Sequence, residues 1–310
     1  MTTPSLGLSV PHRSLDPIDP DDVIAVARAA EEQGFADVWV TNNALDSSAD
    51  CLDSLGVLNF VAAQTERVGL GVSVLVLPIY HPIHVAHGVA SLDWLSGGRA
   101  MLGLGLGRES ELEEFGVSTE RRVGRFLEQV AIIKGLWSEG ALTYVGEAYR
   151  LQDAEIRLKP RQEPHPPIWF GGVHPNAIRR AVRHADAWMG AGGASTESFE
   201  QAVGLLEQAL ADEGRSPDSF TISKRVFLSV HPDEAVAREE VRRWYGEVYG
   251  SADHAEVSAA YGTVEAVREQ LHAIVDAGAD HVLLNPICRY REHIDLIADV
   301  ASDWLGQGVA

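Results

Sequence analysis

The sequence predicts an α/β fold, a single (β/α)8 barrel domain running from residue 1 to residue 310. Short apolar runs alternate with amphipathic stretches of helical period, strand then helix, about eight times. Glycines and polar residues gather just after the apolar runs, where a barrel of this kind carries its active-site loops. No Ser/Gly/Pro-rich linker divides the chain, which favours one domain. The competing arrangement is an open doubly wound sheet. It is disfavoured because the first strand lacks a G-x-G-x-x-G turn, and because Gly103–Gly107 has neither the third-glycine spacing nor an immediately following helix.

The elements follow in order. Leu6–Val10 is an apolar run stopped by Pro11-His12, a first strand ending in a loop. Asp19-Pro20-Asp21-Asp22 supplies an N-cap, a proline at the first helical position and acids at the positive helix end, and this helix runs to Gln33-Gly34. Asp37–Thr41 is the second strand and opens into Asn42-Asn43. A helix covers 54–63, and Val68–Leu77 is apolar enough for a strand buried on both faces. Pro82 starts a helix that ends at Ser96, before the Gly97-Gly98 stop, and Ala100–Leu104 is the fourth strand. Val123, Phe126, Val130, Ile133 and Leu136 recur at helical spacing over Arg122–Trp137.

Residues 141–161 change to short alternating pieces, TYVGEAYRL and EIRL, a small hairpin excursion. PPIWFGG is a strand ending in Gly171-Gly172, followed by a helix from Asn176 to His184. Ala187–Met189 is a very short strand leading into GAGGAS and a helix from Ser198 to Glu213. Phe220–Val230 reads as a strand and Asp233–Tyr249 as a helix. Residues 250–262 carry little pattern and read as a loop insertion; Thr263–Ala277 is a helix, His281–Asn285 the last strand, and Tyr290–Leu305 the closing helix.

Composition narrows the function. A formal net charge of −20, with Lys and Arg scattered, would repel a phosphate backbone and excludes nucleic acid as the expected partner. Two cysteines, Cys51 and Cys288, cannot build a disulfide framework or a cysteine metal site and fit a reducing cytoplasm. The N-terminal stretch has no signal-peptide pattern and no run reaches membrane-spanning length, so a cytoplasmic protein without a membrane partner is expected.

Glycines at 103, 105 and 107 weaken a strand unless something approaches its backbone closely. A planar cofactor or substrate at the end of this strand is one reason for them, and relief of crowding is the other. Arg108, just beyond, could pair with an anionic cofactor tail or a substrate carboxylate, or bridge to Glu109, Glu111, Glu113 and Glu114. His81, His84 and His87 are spaced H-x-x-H-x-x-H. A six-residue step turns the outer pair apart and Pro82 leaves His81 outside the helix, so no metal site is expected. Trp39 and Tyr80 read as core or rim packing more than as ring-stacking groups.

Taken together, AVARAAEEQGFADVWVT, AAQTERVGLGVSVLVLPIYHP, SLDWLSGGRAMLGLGLGR, EEFGVSTERRVGRFLEQVAIIKGLW, HPPIWFGG and ADAWMGAGG resemble, in this order, the bacterial luciferase-like monooxygenase and F420-dependent oxidoreductase superfamily. The resemblance covers nearly the whole chain. It implies a TIM barrel holding reduced FMN or the deazaflavin F420 against the strand ends, with contacts from Asn42, Asn43, Ser73, Val74, Leu75, Gly105, Gly107 and Arg108. Phosphate would be held by backbone amides around Gly171-Gly172 and Gly192-Gly193-Ala194, with His174 within reach of it or merely preceding Pro175. Many members carry a bulge and a non-prolyl cis peptide in strand three, expected here within Ser73–Val76.

The chain also departs from these relatives. Many place an aspartate and a histidine where Asn42-Asn43 stands, and often an acid where Arg108 stands. Asparagine can hydrogen-bond a carbonyl but carries no proton at neutral pH. The expected catalytic set is therefore His12 as acid–base group, with Asn43 and Arg108. The resemblance implies hydride transfer between reduced F420 and a small organic substrate; an FMN-dependent monooxygenase using O2 and externally reduced flavin, and a non-catalytic flavin-binding homologue, stay open. It further implies a homodimer and a separate flavin or F420 reductase as partners.

Overall fold

The computed structural model describes residues 3–45, 48–138 and 140–305, and its organising feature is a sheet that closes on itself. Its barrel strands are β1 (Ser5–Ser9), β2 (Asp37–Val40), β3 (Gly69–Val76), β4 (Ala100–Gly105), β5 (Ile168–Gly171), β6 (Ala187–Gly190), β7 (Thr221–Val230) and β8 (His281–Pro286). Each pairs in parallel with its sequence neighbours, and β8 pairs with β1 to complete the ring. The helices are α1 (Pro20–Gln33), α2 (Ser54–Ala62), α3 (Pro82–Ser96), α4 (Arg122–Ser138), α5 (Pro175–His184), α6 (Thr196–Asp212), α7 (Glu234–Tyr249), α8 (Val264–Asp276) and α9 (Tyr290–Val300). Among the described residues, no helix is long and apolar enough to cross a membrane.

Local chemistry sets these boundaries. Asp19 caps α1 by accepting from the Asp21 N–H at 2.9 Å, with Pro20 at the first position, and Gly34 ends the helix at φ 91°. Gly97 ends α3 in the same way at φ 79°. Arg99, beyond that stop, donates to the carbonyls of Ser96, Ala62, Thr65 and Val68, fastening β4 to the start of β3. The main core lies between strands and helices, with Leu8, Val38, Leu70, Leu102, Ile168 and Leu284 turned outward onto the helical layer. A second apolar group fills the barrel axis, where Trp39 meets Trp169 edge-on at 4.9 Å, beside Met189 and Leu283. A Cβ on Gly71 would run into the Trp39 ring, so this glycine makes room for an indole inside the barrel.

The hairpin expected at 141–161 is present as strands Leu142–Val145 and Arg150–Ala154, paired antiparallel. Residues 250–262 differ from the expected loop. They form a 3-10 turn at Ala252–His254, one helical turn at Ala255–Ser258 and a strand, Ala260–Gly262, that adds in parallel to Leu228–Val230 of β7. Pieces of three or four residues are too short for periodicity to reveal. A helix, Glu109–Glu114, also follows directly after Gly107-Arg108, where none was expected; four glutamates within six residues hid it behind a charge run.

Candidate functional site

Strand β3 shapes the barrel mouth. Val72 pairs with Leu102 and Leu75 with Leu104, leaving Ser73 and Val74 together opposite Gly103 as a bulge; the Ser73–Val74 bond is a non-prolyl cis peptide. Both features fall inside the expected stretch. The bulge drives the Val74 side chain toward β4 and β5. A Cβ on Gly105 would lie 2.6 Å from Val74 Cγ2, one on Gly171 would lie 3.3 Å from Val74 Cγ1, and one on Gly103 would run into the Val72 carbonyl oxygen. Gly107, at φ 70°, would place a Cβ 2.5 Å from Val76 Cγ1. The glycine spacing of β4 therefore answers the alternate residues of a bulged neighbour. Close approach is the right reason for it, and the approaching body is strand β3.

Val74 forms a wall shared by two cavities at the carboxyl ends of the strands. The first, about 320 Å3, is lined by Thr41, Asn42, Asn43, Ser73, Val74, Val76, Arg13, Arg108, Glu111, Arg225, Val248 and Tyr249. The second, about 260 Å3, lies among Val74, Gly105, Gly107, Phe126, Phe170, Gly171, Gly172 and Arg180. A third and larger one, about 950 Å3, opens beside Val173 and runs along Gly193, Ala194, Ser195 and the first turn of α6. The structure thus brings most of the expected contact residues to one face and distributes them over three adjoining spaces.

Within the first cavity the polar groups differ in their freedom. Asn42 is engaged: its amide donates to the Tyr80 hydroxyl at 2.9 Å and its carbonyl oxygen accepts from the Val76 N–H at 3.4 Å. Asn43 has no hydrogen-bond partner among the described residues. The Ser73 hydroxyl is buried with no partner among the described residues, a state that costs about 1–3 kcal/mol when nothing from outside satisfies it. Arg108 makes no ion pair with its acidic neighbours; its N–H reaches Glu111 Oε2 at 3.4 Å, while Glu109 pairs with Arg122.

His12 is not an available acid–base group. It is 2% exposed, its Nδ1 donates to the Val10 carbonyl at 2.8 Å, and its Nε2 accepts the Thr41 N–H at 2.6 Å. That network fixes the tautomer. Burial, with the charges of Arg225 and Arg13 adding to it against the Val10 bond, lowers the ring to about 3. The imidazole is a neutral strut joining the ends of β1 and β2, held on both ring nitrogens, and it does not face the mouth cavities as a free group.

Three other residues named as expected contacts are placed as follows. Leu75 is 1% exposed and lies in the main apolar core, because the bulge turns it away from the mouth. His174 is exposed and caps α5, its Nδ1 accepting from the Asn176 N–H at 3.1 Å. A Cβ on Gly192 would lie 2.6 Å from the Phe227 ring, so the absence of a side chain there answers packing, while its N–H stays available.

The loop holding Gly192, Gly193 and Ala194 has its carbonyls turned inward. Lys224, buried on β7, donates to Ala191 O at 2.6 Å and Ala194 O at 2.7 Å; Tyr245 donates to Gly192 O at 3.1 Å, and His254 Nε2 lies 2.7 Å from Gly193 O. Burial, then the neighbouring Arg225 charge, lowers Lys224 to about 7. With the carbonyls held, the Gly192 and Gly193 N–H groups are left without acceptors among the described residues, next to the α6 N-terminus.

A family model described as luciferase-like monooxygenase matches residues 5–281. The chain belongs to this family. Among its relatives, the F420-dependent glucose-6-phosphate dehydrogenase of Kineococcus radiotolerans is 33% identical over 241 residues, covering 74% of this chain and 70% of that protein. The 5,10-methylenetetrahydromethanopterin reductase of Archaeoglobus fulgidus is 28% identical over 215 residues, covering 69% and 62%. The solved structure of an F420-dependent secondary alcohol dehydrogenase in complex with an F420–acetone adduct matches the fold with a TM-score of 0.84 at 22% identity, over 96% of this chain and 98% of that one.

Sequence reasoning passed over Arg13, Arg225 and Tyr249, and named Glu111 only as a partner for Arg108. Lys224-Arg225 in the middle of the run FTISKRVFLSV was the available signal, since two cations inside a barrel strand need a purpose.

Proposed function

We propose that the protein is an F420-dependent oxidoreductase that moves a hydride between reduced F420 and a small organic substrate held in the mouth of the barrel. The unpartnered Ser73 hydroxyl, buried at the bulge beside the free Asn43 amide, carries this reading: both groups await a planar partner with hydrogen-bonding edges. The residues fit the cofactor. Ser73, Val74 and Asn43 would hold the ring system, and the carbonyl-anchored loop at Gly192-Gly193 would hold its phosphate through backbone N–H groups. F420 supplies the hydride chemistry, and the protein supplies binding, orientation and exclusion of water. Val74 backs one face of the mouth, Asn43 and Arg108 hydrogen-bond and orient the reacting groups, and Glu111 and Tyr249 are the lining side chains able to hold a proton.

Re-reduction of the cofactor by a separate enzyme completes the cycle, and the protein works in the cytoplasm as a homodimer. Phe60 on α2 and Leu95 on α3, 45% and 70% exposed, are apolar groups that a second copy would cover. Purified protein titrated with F420 and with FMN, then mixed with a panel of small alcohols, aldehydes and unsaturated compounds, tests the reading. Substrate-linked bleaching or recovery of the F420 chromophore is the expected result. Turnover that requires FMN and oxygen would replace it with the monooxygenase reading.

A further inference from the structure

The floor of the 320 Å3 cavity holds a cation, Arg225, with no ion-pair partner among the described residues. Arg225 rises from β7 inside the barrel mouth, and its hydrogen bonds go to one neutral acceptor, Asn285 Oδ1, from Nε at 2.9 Å and from Nη2. Its guanidinium lies over the Phe227 ring, 4.7 Å from the centroid. It enters no ion pair among the described residues, and neither does Arg108.

Three other half-buried arginines of this chain are treated differently. Arg289 is matched to Glu240 at 2.7 Å and 2.9 Å, and Arg99 and Arg215 are saturated by backbone carbonyls. Arg225 alone among these is aimed into a cavity, where Arg13 and Arg108 join it and Glu111 is the single acid of the lining. Arg13 is itself held over the Trp244 ring at 5.5 Å. A desolvated, unbalanced guanidinium is costly unless a ligand supplies the opposite charge. The setting sharpens the contrast, because a chain of net charge −20 gathers three arginines around one small space.

We propose that Arg225, with Arg13 and Arg108 around it, binds an anionic group of the substrate, a phosphate or a carboxylate, so that the enzyme acts on a small organic anion. This rests on the proposed function, which seats the cofactor ring against Ser73, Val74 and Asn43 and leaves the Arg13 and Arg225 side of the same cavity to substrate. Guanidinium forks suit either oxyanion, and the aromatic rings behind Arg225 and Arg13 fix their planes before the ligand arrives.

The test is calorimetric titration of the full-length protein with inorganic phosphate and, separately, acetate, with and without saturating F420. Wild-type protein binds at least one of the two anions in both conditions. R225Q binds it about tenfold more weakly or worse, as expected for loss of a charge-assisted hydrogen-bond pair. R243Q, which removes an exposed arginine paired with Asp16, leaves binding unchanged. Circular dichroism confirms folding of each variant, and R13Q takes the place of R225Q should the latter fail to fold. Wild-type protein that binds neither anion, or variants that bind as wild type does, would overturn the proposal. Displacement of the anion by F420 would also overturn it, by giving the site to the cofactor. Arginine-dependent anion binding in a protein that does not bind F420 would instead sink the cofactor assignment and leave the anion site standing.

Discussion

Gly105 and Val74 occupy one space between them: a Cβ on Gly105 would lie 2.6 Å from Val74 Cγ2. Gly103 opposes the same bulge through backbone, since its Cβ would meet the Val72 carbonyl oxygen. The two glycines therefore answer differently to repair. G105A destabilises by about 1–3 kcal/mol, the usual cost of overpacking, and V74A in the same chain recovers most of it. G103A is at least as damaging and V74A does not rescue it. Urea unfolding of the four variants measures this.

His12 is buried and bonded on both ring nitrogens, so its replacement is expected to change stability more than turnover. H12Q leaves turnover with F420 within about threefold of wild type, because no step uses the ring. The sign of the pH effect follows from burial: the folded ring titrates at about 3 and the unfolded one near 6.5, so on acidification the unfolded chain binds the proton first. The stabilising term is fully present above about pH 6.5 and is lost progressively toward pH 3, at ~1.4 kcal/mol per unit. Stability measured from pH 7 to pH 4 falls more steeply for wild type than for H12Q.

Ser73 carries the signature of a group kept for a ligand. Its buried hydroxyl has no partner among the described residues, so S73A leaves thermal stability unchanged or raises it, while F420 affinity falls by about fivefold to tenfold, the value of one hydrogen bond. A variant that loses stability and keeps affinity would make Ser73 a structural residue.

Lys224 holds the Ala191 and Ala194 carbonyls from beneath the glycine loop. K224M leaves the Ala194 carbonyl without a donor, while the Ala191 carbonyl keeps the Ala194 N–H, and costs about 1–3 kcal/mol. Hydrogen exchange rises at 191–195 before it rises elsewhere, and F420 binds more weakly as its phosphate loop loosens.

The barrel was legible because its elements are long and their signals agree: Val68–Leu77 is apolar throughout, Asp19-Pro20 and Gly97-Gly98 mark helix ends, and the mouth follows from topology. The short pieces at 252–262 were not legible, since a three-residue strand has no period. At the site, sequence placed Asn43, Ser73, Val74 and Arg108 on the mouth, where they are. It misassigned Leu75 and His12, because a bulge reverses which residues face inward and because the bonds from Val10 and Thr41 that neutralise His12 arise from two different strands. It missed Arg225 because one strand read alone does not say which of its faces meets a cavity.

The most direct measurement is fluorescence titration of the purified protein with F420 and FMN, for wild type and S73A. The account predicts saturable F420 binding that S73A weakens, with FMN binding at least about tenfold weaker. FMN binding as tight as F420 binding, or F420 binding indifferent to Ser73, would contradict it.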